Sequence, residues 1–183
     1  VHAAASRADS TGTRRRPGRH PRTPVLTEDA RRFADPVTGR LALESVLDGL
    51  LLDGLIEEGN ASLLRSLSRD NAQERGRARG SAPAGALERI ARSGWASARE
   101  PERVIDLDFL MRWLAEKVDL PWKRIDPLSL DVPAVTAVAS HAYATRFNIL
   151  CLESAPTHVT FGTAEPFVEE WRRELAPVLG KEI

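Results

Sequence analysis

The chain has 183 residues, with 26 basic side chains against 26 acidic ones, so its formal net charge is zero and its isoelectric point lies near 7.1. That balance gives the molecule as a whole no electrostatic pull on nucleic acid, while an apolar share of 42 % suffices for a core once a polar tail is set aside. A lone cysteine, Cys151, rules out a disulfide framework within the chain and fits a reducing compartment, and no apolar run approaches the roughly 18 residues that span a membrane.

Val1 stands where a starting methionine would, which implies a trimmed N-terminus or a reading frame that begins elsewhere. Residues 1–24 hold six arginines against one acid, Asp9, among Pro, Gly, Ser and Thr with no apolar period, and read as a disordered basic arm. Such an arm suits phosphate charges on nucleic acid or anionic lipid, yet Arg14, Arg15 and Arg16 have no aromatic partner or helix to present them, so a solvated tail is the reading adopted. The arm has no apolar central region and is not a secretory signal.

From residue 39 to 72 the pattern is helical. Leu43, Val46, Leu47, Leu50 and Leu51 form one stripe, with Glu44, Asp48 and Asp53 facing away; Gly54 ends that helix and a shorter one carries Leu63, Leu64 and Leu67. Residues 73–85 (QERGRARGSAPAG) read as a linker, which divides the chain into a helical hairpin and a subdomain over 86–183.

In that subdomain Leu87, Ile90 and Ala91 mark a short helix, and Asp106 starts a stronger one with Leu110, Trp113, Leu114 and Val118 on one face. Trp113 and Trp171 fit core packing, whereas Trp122, beside Lys123 and Arg124, suits a partner-facing ring. Asp131 and Pro133 then open a predicted helix whose apolar stripe runs through Val135, Val138, Ala139, Ala142 and Phe147, with Tyr143 at its margin. The run Ile149 to Leu152 and the alternating Val159, Phe161 and Thr163 predict a β-hairpin about a turn at residues 154–157. Pro166 is expected to open a last helix with Phe167, Trp171, Leu175 and Val178 or Leu179 on one side, ended by Gly180.

Catalytic chemistry is not visible in this sequence. A phosphate-binding loop needs paired glycines and a Gly-Lys-Ser/Thr end so that backbone N–H groups and a lysine surround the phosphates; the Gly180-Lys181 pair is followed by Glu182 and preceded by no such loop. His2 and His20 lie in the arm, His141 and His158 have no paired spacing, and no metal ligand set or catalytic residue is expected. Cys151, between Leu150 and Leu152, reads as an apolar filler and not as a nucleophile.

Leu120-Pro121, Ile125 to Leu128, Ser140 to Phe147, Ile149-Leu150, Thr160 to Phe167 and Trp171 together resemble the N-terminal domain of the type II secretion and type IV pilus assembly ATPases, more loosely so back to Gly39. The resemblance implies an α+β fold, a helical hairpin followed by a small β-sheet subdomain packed with amphipathic helices. It implies a docking and regulatory part that precedes the motor and tethers a cytoplasmic hexamer to an inner-membrane platform protein. ATP and magnesium would belong to the motor domain, not to this chain. Trp122, Asp126, Tyr143 and Arg146 are the candidate docking residues, although Asp126 also suits a cap before Pro127 and Arg146 a surface ion pair. In relatives a helical hairpin of this kind can bind cyclic di-GMP, and Arg40, Leu41 and Gly54 are the positions here nearest to that motif. Ala42 stands where the motif has glycine, and the spacing to Gly54 is too long, which places dinucleotide binding in doubt. Cyclic-dinucleotide sensing and nucleic-acid binding through the arm stand as the alternatives.

Overall fold

The computed structural model describes residues 26–75 and 84–183; the expected basic arm and residues 76–83 of the expected linker lie outside the described residues. A short helix α1 (Glu28–Arg31) is capped by Thr27, whose Oγ accepts from Ala30 N. Helices α2 (Leu43–Leu52) and α3 (Glu58–Arg75) follow. Val46, Leu47 and Leu50 are wholly buried, as the stripe predicted, each contributing about 1.5–3 kcal/mol. Helix α3 has 18 residues and is therefore longer than expected, running into the predicted linker. It buries Ala61 and Leu64, whereas Leu63 and Leu67 are exposed, because one helix on one side can cover only one stripe. Arg65 ties α3 to α2, donating to Glu44 at 2.8 Å and to Asp48, and also to Glu58 at 3.1 Å.

Helices α4 (Ala86–Ala91) and α5 (Leu107–Lys117) pack onto this pair. Asp106 caps α5 by accepting from Phe109 N at 2.8 Å, as the sequence predicts. Phe33 meets Trp113 edge-on, 5.5 Å between centroids, and the first core joins Leu41, Leu47 and Leu64 with Leu87, Ile105, Leu110, Trp113 and Phe167. Residues on both sides of the 73–85 segment thus share one core.

The predicted single helix through Phe147 is two helices, α6 (Val132–Val138) and α7 (His141–Phe147). Ala139 is extended, and Ser140 accepts from Tyr143 N at 3.3 Å, so a local side-chain cap restarts the helix. The valines and Thr136 of α6 weaken helical continuity in addition. Asn148 then takes φ +53°, its N–H bonding the carbonyl of Ala144, and turns the chain straight into the sheet, a left-handed conformation that asparagine tolerates. Strands β1 (Ile149–Ser154) and β2 (Val159–Thr163) form the expected antiparallel hairpin, with a bulge between Cys151 and Glu153. Helix α8 begins at Glu170, not at Pro166, and runs to Leu179 before Gly180 at φ +58°. Phe167 consequently sits in a turn and joins the first core, while Val178 is exposed. A second core consists of Phe147, Ile149, Trp171 and Leu175, with Tyr143 and Phe161 against it. The architecture is α+β, eight α-helices and one two-stranded sheet among the described residues.

Candidate functional site

The two cores meet where residues 39–41 lie against the turn at 165–167. Gly39 takes φ +67°, and a Cβ there would stand 3.4 Å from the carbonyl oxygen of Phe167, so glycine allows both the turn and the close approach. Leu41 N–H donates to Glu165 Oε2 at 2.8 Å. Arg40 Nη2 donates to the carbonyl of Arg146 at the end of α7, at 3.1 Å. Glu165 is only 4 % exposed; burial pushes its carboxyl above the ordinary range, opposed by the Leu41 N–H and the Arg40 charge.

Helices α7 and α8 face each other through Tyr143. Its hydroxyl donates to Glu174 Oε2 at 2.7 Å and lies 3.3 Å from the carbonyl of Trp171. Burial first, then the Glu174 carboxylate, hold its phenol up at about 12. Arg146 pairs with Glu170 at 3.8 Å and stacks on Phe147. Two of the four candidate docking residues therefore join α7 to α8.

The other two lie in the connection that leads to α6. Arg112 of α5 stands 4.1 Å over the Trp122 ring, and Asp126 Oδ1 accepts from Leu128 N at 3.0 Å, capping the 3-10 turn Pro127–Ser129. Beyond that cap Leu128 is 95 % exposed and Val132 58 %, a few positions along the chain from the exposed Lys123 and Arg124. Trp122 also forms part of the wall of an open groove of about 870 Å³ that runs from α5 to the hairpin.

The chain is 34 % identical over 125 residues to the type IV pilus assembly ATPase TfpB of Acinetobacter baylyi, a match that takes in 68 % of this chain. Over that stretch the chain is similar to part of a type IV pilus assembly ATPase. It corresponds to a region of such a protein, since the match spans 20 % of the length of TfpB. No protein-family profile matches the chain, and no solved structure matches it.

The positions nearest to a dinucleotide motif each have other contacts within the fold. Arg40 and Leu41 bond the end of α7 and Glu165, whereas Gly54, at φ +63°, lies beside the Arg99 guanidinium. Asp53 is turned inward, contrary to the expectation that it faces away: it accepts from Trp113 Nε1 at 2.6 Å and Lys117 Nζ at 2.9 Å. Burial would raise its carboxyl, but the bonds from Lys117 and Trp113 and the Lys117 and Arg99 charges bring it below the ordinary value. Cys151 is buried, and burial pushes its thiol up, which suits a packing role. Among the described residues no three His, Cys, Asp or Glu side chains come together as a metal site, and no helix is long and apolar enough to cross a membrane. Sequence reasoning missed Glu165 and Glu174; a glutamate before Pro166 resembles ordinary turn chemistry, and no pattern in one dimension marks it as buried.

Proposed function

We propose that this chain is the N-terminal docking and regulatory region of a type IV pilus or type II secretion ATPase, seating the motor on an inner-membrane platform protein at the cytoplasmic face. The observation that carries this reading is the match of most of the chain to a fifth of an ATPase's length, in a sequence without a phosphate-binding loop of its own. On this reading the chain alone hydrolyses no ATP, and ATP and magnesium belong to the motor.

The docking surface that suits this role is the connection around Trp122 and Asp126 with the exposed Leu128 and Val132, since large apolar side chains left exposed mark a binding surface better than engaged ones do. Tyr143 and Arg146 join α7 to α8, Arg146 through an exposed ion pair with Glu170. The test is capture of the chain by the purified cytoplasmic part of its platform protein. Leu128→Glu and Val132→Glu are expected to weaken capture about tenfold each with the melting temperature unchanged, because both side chains are exposed. Undiminished capture by both variants would remove this surface, and no capture of the unaltered chain would remove the docking reading.

A further inference from the structure

The groove between α5 and the hairpin has an unpaired strand edge in its wall. Val159 N–H donates to the Glu182 carbonyl at 2.8 Å on the outer edge of β2, and Ala164 N–H donates to the Asn148 carbonyl at 3.2 Å on the β1 side. Main-chain groups alternate sides along a strand. The N–H and C=O of Phe161 and Thr163 therefore point to the outer edge, where no main-chain partner meets them among the described residues. Both residues line the groove and neither is buried, and such an edge is a template for another strand. The start of α8 lies on the same wall. Trp171 is 3 % exposed, yet its indole N–H has no acceptor, nor has Arg172 Nε, and the Glu169 side chain at the N-cap position caps no helix N–H. A shielded donor without an acceptor is costly, and an acceptor brought by a ligand relieves that cost.

We propose that this groove takes an extended acidic and apolar peptide segment of a partner protein. The segment adds a strand to the free edge of β2, lays apolar side chains against Leu107, Met111 and Leu114 of α5, and sets a carboxylate at the start of α8. Main-chain groups that repeat at every second residue, roughly 6.6–7 Å apart, are matched by another extended chain and not by an acyl chain or a small anion. Charge selects the kind of segment. Of the charged side chains on the wall, Asp108 is paired with Arg112, and Glu169 with Arg31 and Arg173. Lys123, Arg124 and Arg172 are left against Glu182 with no ion pair among the described residues. That excess of cations favours an acidic segment and disfavours the arginine-rich residues 1–24 of this chain as the occupant. The site goes beyond the docking surface proposed above, which it meets at Trp122, since Leu128 and Val132 do not line the groove.

The test is selection of a displayed library of random peptides, about twelve residues long, on the whole chain, followed by titration of the enriched peptides into the isotope-labelled chain. Enriched peptides are expected to carry more acidic than basic residues and to move the amide signals of Phe161 and Thr163 and the indole N–H signal of Trp171. Methylating peptide nitrogens at alternate positions is expected to weaken binding about tenfold, and methylating the intervening ones to leave it intact, because only alternate groups face β2. Arg172→Gln and Lys123→Gln are each expected to weaken binding about threefold; Lys123 is exposed, so its variant decides the charge effect should Arg172→Gln fail to fold. Leu128→Glu and Val132→Glu are expected to leave peptide binding unchanged, so this site and the docking surface can fail separately. The proposal is overturned by no enrichment over an unrelated chain, by peptides indifferent to the position of methylation, or by shifts confined to other amides. It is also overturned if Phe161 and Thr163 shift on dilution of the chain alone, which assigns the edge to a second copy. Shifts with phosphatidylglycerol vesicles and not with peptides would overturn it in favour of lipid.

Discussion

Arg40 donates to the main-chain carbonyl of Arg146 across 106 positions of sequence. The bond fastens the start of the helical hairpin to the end of α7 and uses a guanidinium that a cyclic dinucleotide would require. Arg40→Ala is expected to lower stability by only about 0.5 kcal/mol, the loss of one exposed hydrogen bond, read by thermal melting. A saturating cyclic dinucleotide is expected to leave the melting temperature of the unaltered chain where it is, because Arg40 and Leu41 are both engaged within the fold.

Asp53 supports α5 from the end of α2. Asp53→Ala strands the indole N–H of Trp113 and the Lys117 ammonium, at about 1–2 kcal/mol. Since the Asp53 carboxyl is held below its ordinary value, its contribution is present above about pH 4 and lost as pH falls through the native value. Thermal melts of Asp53→Asn across that range should show a smaller loss on acidification than the unaltered chain does.

Tyr143 is the chain's one tyrosine, so tyrosinate absorbance reports it alone. Its titration in the folded chain is expected at about 12 and in denaturant at about 10. Stability from this group is complete below the unfolded value and falls between the two, because the unfolded phenol ionises first. Tyr143→Phe, losing the bond to Glu174, should lower stability by about 1 kcal/mol at neutral pH and make the melting temperature less sensitive to alkali.

Gly49 lies inside α2, where glycine is a poor helix former, yet an added Cβ would stand 2.7 Å from Phe33 and 3.0 Å from Trp113. Gly49→Ala is therefore expected to destabilise by about 1–3 kcal/mol through overpacking, although propensity alone predicts a gain. Denaturant unfolding decides the sign.

Much of this protein was determined by local sequence. The α2 stripe, the Asp106 cap, the hairpin between Ile149 and Thr163 and the end of α8 at Gly180 all follow from periodicity, capping and turn chemistry, which act between residues a few positions apart. The resemblance of the 120–171 region to pilus and secretion ATPases was legible for the same reason, since it rests on ordered short motifs. Tertiary structure decided what depends on distant partners. Among the candidate docking residues, it set Tyr143 and Arg146 into the α7 to α8 contact and left the neighbours of Asp126 exposed. It sent Phe167 to the first core and kept Trp171 in the second, and it turned Asp53 inward to Trp113. It also buried Glu165 against Leu41, 124 positions away. The cost of burying a charge depends on how much water the folded neighbours exclude, and that quantity does not exist until the two cores have closed on each other.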